Sequence, residues 1–135
     1  MTYAKNKIKV WSTAYADQKF REYFVSEANP INKVCAKCGL PGQLQVSHFW
    51  TRNASCMRYN LENCDLLHYQ CHYGNLKGWE YCKQGEYRAY KIKQLGREKY
   101  RMLEKLYYQG KTTRREAIIN LMKFLKPSNE IYLII

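Results

Sequence analysis

The spacing of apolar residues in segment 12–30 predicts an amphipathic helix near the start of the chain. Phe20 and Phe24 lie one helical turn apart and therefore share a face, which we expect to pack in the core. Ser12 or Thr13 precedes the first predicted turn and is a suitable N-cap. The first element of the chain is thus expected to be a helix with an aromatic buried face.

A similar periodicity predicts three helices in the C-terminal third of the chain. They occupy segments 86–95, 97–109 and 113–125. Gly96 and Gly110 separate them, in keeping with the weak helix propensity of glycine. Thr113 and Glu116 have the spacing of a capping box, which marks the start of the third helix. The last five residues, 131–135, are apolar and β-prone, so we expect them to be buried or paired with a partner.

The pattern changes between these helical regions. Two glycines in segment 33–42 predict a tight knuckle turn. Segment 43–50 alternates polar and apolar residues and predicts a short strand that ends near His48. Segment 61–75, with Asn60 as a candidate cap, is predicted to be a loop that runs into a helix. The middle of the chain is therefore expected to combine a turn, a strand and a short helix.

Charge adds a candidate partner to this outline. The 135 residues fit one domain with a modest core, and they include 23 Lys and Arg against 11 Asp and Glu, a formal net charge of +12. Residues 1–34 carry a net +3, residues 35–82 a net +1 and residues 83–135 a net +8. Such an excess favours a polyanion, with nucleic acid as the first candidate. A basic surface without a partner is the alternative.

The location of the protein follows from what the sequence lacks. No apolar run is long enough to span a membrane, and the first residues lack the apolar core and cleavage site of a signal peptide. We therefore expect a protein of the reducing cytoplasm, with no membrane partner. The six cysteines are then expected to be metal ligands or packed thiols rather than disulfides.

Two pairs of residues have the spacing of a zinc site. Cys35 and Cys38 form a Cys-x-x-Cys turn before a glycine, and two thiolates on such a turn reach one tetrahedral ion. His68 and Cys71 have the same spacing and supply the second half. A closed Cys3His site of this kind stabilises a segment too short to have its own core, so the zinc is expected to be structural.

Other ligand sets are compatible with the same sequence. One uses His72 in place of His68, although the adjacent Cys71 and His72 would point in different directions. Another uses Cys64 or Cys56, whose spacing to Cys71 is less suitable. Cysteines outside the site are expected to be small packed hydrophobic residues: Cys56, Cys64 and Cys82.

The middle segment also contains a His-Asn-His series: His48 at a strand end, Asn63 fifteen residues later and His72 after the second zinc pair. This order resembles the HNH, or ββα-metal, nucleases. Four further motifs resemble the NinG/Rap family of phage recombination endonucleases: Ala-Asp-x-x-Phe, Cys-x-x-Cys-Gly, His-[Phe/Tyr]-x-x-Arg and Arg-[Phe/Tyr]-[Asp/Asn]-x-x-Asn-Cys. The positions that meet the last two are His48, Phe49, Arg52, Arg58, Tyr59, Asn60, Asn63 and Cys64. The similarity covers roughly residues 11–106.

The resemblance implies an α+β fold with a small zinc-stabilised ββα-metal (HNH) core at 35–82. An N-terminal helical segment at 1–34 and a basic helical C-terminal arm at 83–135 would complete one compact domain. It also implies a metal-dependent DNA endonuclease that cuts branched DNA, such as Holliday junctions or related recombination and replication intermediates, in the host cytoplasm. A general HNH nicking enzyme on duplex DNA and a non-catalytic zinc module that binds nucleic acid are the alternatives.

The same resemblance suggests roles for individual residues. His48 would be the general base, since neutral imidazole is abundant at cytoplasmic pH. His72 would hold the catalytic Mg²⁺ or Mn²⁺, while Asn63 would either join it or fix the loop that bears His48. Arg52 suits phosphate through its forked donors, and Arg58 could do the same or anchor the structure. Further DNA contacts are expected in the basic arm, at Lys91, Lys93, Arg97 and Arg101.

Two positions depart from the family pattern. The family usually has Cys-x-x-Cys-Asn, where this chain has His68, Cys71 and His72. The first change exchanges one good zinc ligand for another, and the second places a histidine where asparagine would bind the catalytic metal. Ser47 precedes the base where many HNH enzymes have a metal-binding aspartate, so water and substrate phosphate would complete the metal shell. A two-fold dimer would suit two symmetric cuts across a junction.

Overall fold

The computed structural model describes residues 9–26, 33–74 and 77–125. Within these ranges the chain is a mixed α+β protein with six α-helices and a two-stranded sheet. The elements are α1 (Thr13–Phe24), β1 (Gln45–His48), α2 (Ser55–Arg58), β2 (Cys64–Leu67), α3 (Tyr69–Tyr73), α4 (Glu86–Leu95), α5 (Arg97–Gln109) and α6 (Arg114–Leu125). Two short 3₁₀ turns, Leu61–Asn63 and Trp79–Tyr81, precede β2 and α4.

The helix boundaries follow the local signals in the sequence. Ser12 caps α1, because its side chain accepts a hydrogen bond from the backbone N–H of Tyr15 at 3.1 Å. Thr113 and Glu116 make both bonds of the capping box at the start of α6, at 3.0 and 2.8 Å. Gly96 separates α4 from α5 with a φ of 87°, a backbone angle that favours glycine. The predicted helices and these caps are confirmed.

Some expectations fall beyond the described residues. Helix α1 ends at Phe24, and Val25 and Ser26 follow it in non-helical conformations; residues 27–30 of the predicted segment lie outside the described ranges. The apolar segment 131–135 lies outside as well. In the ranges that are described, no helix has both the length and the hydropathy to cross a bilayer.

The sheet consists of one antiparallel pair, β1 with β2, in which His48 is opposite Cys64. Strand β1 confirms the predicted strand ending at His48. Strand β2 lies where a loop was expected. All four of its residues are buried, so its sequence lacks the alternation that identifies a half-buried strand. Asn60 caps the 3₁₀ turn before β2, accepting hydrogen bonds from the N–H groups of Glu62 and Asn63 at 2.9 and 3.3 Å.

Two buried clusters hold the helices against this sheet. The first joins α1, β2 and α6 through Ala16, Phe20, Phe24, Cys64, Leu66, Ile118, Leu121 and Met122. The second joins the residues after β1 to α4 and α5 through Cys35, Phe49, Trp50, Met57, Leu67, Trp79, Tyr87, Tyr100 and Leu103. Each cluster draws on both the middle segment and the C-terminal helices. Helices α4, α5 and α6 are therefore part of the same packed unit as the sheet.

Candidate metal centre and catalytic cleft

Four side chains with sulfur and imidazole donors meet beside the knuckle turn: Cys35, Cys38, His68 and Cys71. Their ligand atoms all lie within 4.8 Å of one another, and Cys38 Sγ is 3.2 Å from His68 Nδ1. Zinc bonds of about 2.3 Å to sulfur and about 2.0 Å to nitrogen would separate tetrahedral donors by roughly 3.5–3.8 Å. The cluster therefore needs only small shifts to bind a metal such as zinc. It is the set that the spacing predicted.

The backbone of the knuckle orients the histidine of this cluster. His68 Nε2 lies 2.9 Å from the carbonyl oxygen of Pro41, which can only accept, so the ring proton is on Nε2. Nδ1 is left unprotonated on the side of Cys38, as a metal ligand must be. Gly42 allows this approach: its φ is +135°, and a Cβ there would lie 2.9 Å from His68 Nε2. Any other residue at this position would displace the ring.

The thiols of the cluster have contrasting acidities. Burial raises the pKa of Cys35, but hydrogen bonds from the backbone at Cys38, His68 and Lys37 outweigh burial and lower the pKa to about 7. Burial and the neighbouring Cys35 and Cys38 raise the pKa of Cys71 to about 12. A bound divalent cation would offset the repulsion between the thiolates of Cys35 and Cys71 and so favour the ionised form of Cys71.

The rival ligand sets are separated from this cluster. Cys64 is 1% exposed in the first core cluster, and Cys56 lies 3.5 Å from the carbonyl oxygen of Leu106. Cys71 and His72 project to different sides of α3, the first toward the cluster and the second into a cleft. In the parts of the chain that the structure describes, no other group of three or more His, Cys, Asp or Glu residues is placed to hold a metal.

A cleft of about 500 Å³ lies next to the sheet, with α1 on one side and the turn before α4 on the other. It contains four of the residues predicted for catalysis or DNA binding: His48, Arg52, Arg58 and His72. Residues separated by up to 24 positions in the sequence thus share one solvent-accessible space. The cleft is the candidate active site, and its individual side chains decide what chemistry it can support.

His48, the last residue of β1, is held through one ring nitrogen. Its Nε2 lies 2.8 Å from the carbonyl oxygen of Arg58, so Nε2 carries the proton and Nδ1 is unprotonated. Within the described ranges no hydrogen-bond partner is found for Nδ1. Burial lowers the pKa of His48; the bond to the Arg58 carbonyl raises it, and the charges of Arg52, Arg58 and Lys83 lower it further. The ring is therefore neutral at pH 7 and retains a basic nitrogen.

Asn63 fixes the loop that follows His48. Its Oδ1 accepts from the N–H of Trp50 at 2.8 Å, and its Nδ2 donates to the carbonyls of Trp50 and Met57 at 2.9 and 3.2 Å. The backbone carbonyl of Asn63 accepts from the N–H of Phe49 at 2.8 Å. The side chain is 0% exposed and does not line the cleft. Of its two predicted roles, these contacts support the fixing of the loop rather than metal binding.

His72 presents a nitrogen donor to the cleft. Its Nδ1 lies 2.7 Å from Gln45 Oε1 and its Nε2 lies 3.3 Å from Glu80 Oε1. Because an amide oxygen accepts, the neutral ring carries its proton on Nδ1 and has a lone pair on Nε2. Burial lowers the pKa of His72, which the carboxylate of Glu80 opposes. A neutral imidazole whose other nitrogen is hydrogen-bonded is what a metal ligand requires, so this residue fits a divalent ion.

Arg58 is an anchor within the fold. Its Nε and Nη2 bind the two carboxylate oxygens of Asp17 on α1, at 2.8 and 2.6 Å, and its Nη1 donates to the carbonyl of Arg52 at 3.2 Å. The hydroxyl of Tyr59 donates to the same carboxylate at 2.8 Å. Arg58 is only 8% exposed. These contacts favour the alternative of a structural anchor, and a contact of Arg58 with DNA stays a prediction.

Arg52 has a different environment from Arg58. Its side chain is 58% exposed, and its Nη1 lies 3.8 Å from Asp17 Oδ2, too far for a short hydrogen bond. The exposed fork remains available to an anion that enters the cleft. Arg52 thus lines the cleft with an exposed guanidinium, and its contact with phosphate stays a prediction.

Lys91 was predicted to contact DNA, and this prediction is wrong. The side chain is 0% exposed, with its Nζ 2.9 Å from Asp65 Oδ2 and 2.6 Å from the carbonyl oxygen of Glu62. The Tyr87 hydroxyl lies 2.8 Å from the same carboxylate and 3.1 Å from Ser47 Oγ. Lys91 therefore neutralises a buried aspartate behind the sheet. Ser47 belongs to this network, so the position before His48 supplies no ligand to the cleft.

The other predicted DNA contacts lie on the surface. Lys93, Arg97 and Arg101 are exposed on α4 and α5, as binding to phosphate requires. None of them lines the cleft. Their contact with DNA stays a prediction, and any DNA they bind would have to extend beyond the cleft.

The cleft residues that were not identified from the sequence include three that contact predicted site residues or each other: Asp17, Glu80 and Lys83. Asp17 is part of the Ala-Asp-x-x-Phe motif, so its position in that motif was an available signal. Glu80 and Lys83 lie on or next to the turn Trp79–Tyr81, where no repeat or motif marks them. Only their closeness in sequence to His72 could have drawn attention to them.

No protein-family model, curated protein or solved structure matches the chain. A function can therefore be proposed only from the geometry of the cleft and of the Cys3His cluster, together with the motifs in the sequence.

Proposed function

We propose that the protein is a metal-dependent DNA endonuclease of the HNH type, with His48 as general base, that cuts branched DNA. The observation that carries this proposal is the state of His48. Its protonated nitrogen is fixed by the Arg58 carbonyl at 2.8 Å, and its other nitrogen has no partner in the described part of the chain. A neutral imidazole held in this way is suited to take a proton from water.

The neighbouring side chains support hydrolysis of a phosphodiester. Arg52 can bind the phosphate with its exposed guanidinium, while His72 offers its Nε2 to a divalent cation. When bound, Mg²⁺ or Mn²⁺ would neutralise charge on the phosphate and on the leaving oxygen. Asn63 and the Arg58–Asp17 pair hold the loop that follows His48 and carries Arg52. Each requirement of the reaction therefore has a candidate residue.

We further propose that the Cys35, Cys38, His68 and Cys71 cluster holds a structural zinc. The ion would connect the knuckle turn to the first turn of α3, which has only five residues. So short a helix has little stability of its own, and a closed tetrahedral site would fix both its position and that of His72. The preference for branched DNA rests on the family resemblance. The exposed basic residues of α4 and α5 are compatible with binding to backbone phosphates.

The proposal is tested by cleavage of a labelled four-way junction beside a linear duplex of the same sequence, with Mg²⁺ or Mn²⁺. His48→Ala is expected to slow junction cutting about 10²–10⁴-fold. His48→Gln keeps a donor for the Arg58 carbonyl but has no basic nitrogen, so it should be equally slow and fully folded. Zinc content and melting temperature are compared for all three proteins.

Each outcome has a definite meaning. Junction cutting that depends on His48 supports both the chemistry and the substrate class. Equal cutting of junction and duplex would leave a general HNH nicking enzyme and remove the branched substrate. Tight DNA binding by all three proteins, without any cutting, would reject the nuclease in favour of a zinc-containing DNA-binding module.

A further inference from the structure

We propose that Glu80 is the second protein ligand of the divalent cation in the cleft, together with His72. This inference rests on the proposed nuclease function and adds a residue to it. The sequence alone suggested that the ion would have no carboxylate ligand, because Ser47 stands at the position before the base. In the folded chain a carboxylate comes instead from the turn Trp79–Tyr81, 32 residues after that position.

The distance between the two donors suits a shared ion. Glu80 Oε1 lies 3.3 Å from His72 Nε2. Adjacent ligands of an octahedral Mg²⁺, each about 2.1 Å from the metal, are roughly 3 Å apart. The two atoms could therefore bind one ion after a shift of a few tenths of an ångström. Water and a substrate phosphate would complete the shell, which is usual for this cation.

The contact of His72 Nδ1 also supports a cation shared by His72 and Glu80. His72 Nδ1 lies 2.7 Å from Gln45 Oε1, and this contact holds the ring with Nε2 turned toward the Glu80 carboxylate. A cation between Nε2 and Oε1 would be bound by both atoms.

The turn that carries Glu80 is firmly held next to His72. Gly78 packs on the backbone of α3 so closely that a Cβ would lie 2.5 Å from the carbonyl oxygen of His72. Trp79 is 3% exposed, stacks on Tyr87 with ring centroids 4.5 Å apart, and donates through Nε1 to Glu86 at 2.7 Å. The carboxylate is therefore positioned by packing rather than by chance on a free loop.

Lys83 completes the arrangement from the other side. Its Nζ lies 3.3 Å from Glu80 Oε2, so the second oxygen of the carboxylate is already occupied. This contact orients Oε1 toward His72. It also adds a positive charge that opposes cation binding until a phosphate is present. The ion is therefore expected to bind weakly to the free protein and more tightly in a complex with DNA.

The test is a titration of the zinc-loaded protein with Mn²⁺, in which binding is measured as the loss of the free-ion signal in electron paramagnetic resonance. Every protein in the test carries His48→Ala, so that a four-way junction stays uncut, and each titration is made with and without the junction. Glu80→Gln should weaken Mn²⁺ binding at least tenfold, since even outer-shell changes cost 10–100-fold in affinity. Glu62→Gln changes an exposed carboxylate outside the cleft and should leave binding unchanged.

The result that would overturn the inference is equal Mn²⁺ affinity in the Glu80→Gln and Glu62→Gln proteins. If Glu80→Gln does not fold, the test is made by NMR on the protein without substitutions. Substoichiometric Mn²⁺ should then broaden the carboxyl ¹³C signal of Glu80 at lower concentrations than that of Glu62. Equal broadening would contradict the proposal. Mn²⁺ binding that depends on Glu80 in a protein that cuts no DNA would reject the nuclease and keep the metal site, so the two failures are distinguishable.

Discussion

The hydrogen bond between His48 Nε2 and the carbonyl of Arg58 determines which ring nitrogen is free to accept a proton. The proton stays on Nε2, so the basic nitrogen is Nδ1. The loop that supplies the carbonyl is in turn held by Asn63, whose amide bonds both backbone groups of Trp50. A buried residue that does not line the cleft thus supports the orientation of the proposed base. Loop residues of this kind act by positioning and not by chemistry.

The first prediction concerns the pH dependence of cleavage. Burial lowers the pKa of His48 below its ordinary value of 6.5. Only the neutral ring can act as base, so the single-turnover rate should rise with pH through the lowered pKa, with its midpoint below pH 6.5, and then become level. A midpoint above pH 6.5 would contradict the assignment. Zinc content is measured at each pH, because protonation of the thiols at low pH would release the metal independently.

The second prediction follows from the buried pair of Lys91 and Asp65. Replacement of Lys91 by methionine leaves an uncompensated carboxylate that is only 2% exposed, so the free energy of unfolding should fall by about 3–5 kcal/mol. Lys93→Met is the matched control on the exposed side of α4, and it should change stability by less than about 0.5 kcal/mol. Urea denaturation measures both. Equal stability of the two variants would show that the buried pair contributes nothing.

At the scale of elements, the short helix α3 connects the Cys3His cluster to the cleft. Cys71 belongs to the Cys3His cluster and the next residue, His72, lines the cleft. Helix α3 has five residues and contacts β2 and the turn before α4. A helix of this length depends on its surroundings for stability. The metal that the cluster is able to bind is therefore expected to support the cleft as well.

The third prediction tests this link. Purified protein should contain about one zinc per chain. Cys38→Ser should lose it, lower the melting temperature and reduce cleavage, although Cys38 is exposed and contributes little packing. Cys82→Ser is the control, because that partly buried thiol lies outside the cluster. Metal analysis, thermal unfolding and junction cleavage are compared. Full zinc retention by Cys38→Ser would remove that residue from the ligand set.

Elements with a local signal were predictable from the sequence. Helices α4, α5 and α6 follow from apolar periodicity, from their glycine boundaries and from the capping pair Thr113 and Glu116. Strand β2 was not, because its sequence Cys-Asp-Leu-Leu is buried on both faces and has no alternation. The buried carboxylate of Asp65 is stabilised there by Lys91, Tyr87 and Gln94, which reach it from α4. Such a partner, more than 20 residues away, leaves no local trace.

For the whole molecule, net charge suggested a polyanionic partner but did not identify which basic residues are free to contact one. Of the basic residues predicted to bind DNA, Arg58 and Lys91 are used inside the fold, each paired with a buried or half-buried aspartate. The Cys3His cluster was predictable because tetrahedral coordination imposes a short, regular spacing on its ligands. The cleft was only partly predictable. Glu80 and Asp17 reach it through packing of the turn before α4 and of α1, which no spacing rule encodes.

The arrangement of the first core cluster has a consequence for the order of synthesis. The cleft residues end at Lys83, but α1, which carries Asp17, is packed against α6, and α6 begins only at Arg114. A ribosome therefore releases every group proposed for catalysis before it releases the helix that holds one wall of the cleft in place. The nascent chain has the reactive groups without their final arrangement. We expect activity to be acquired late in translation, when α6 has emerged and docked.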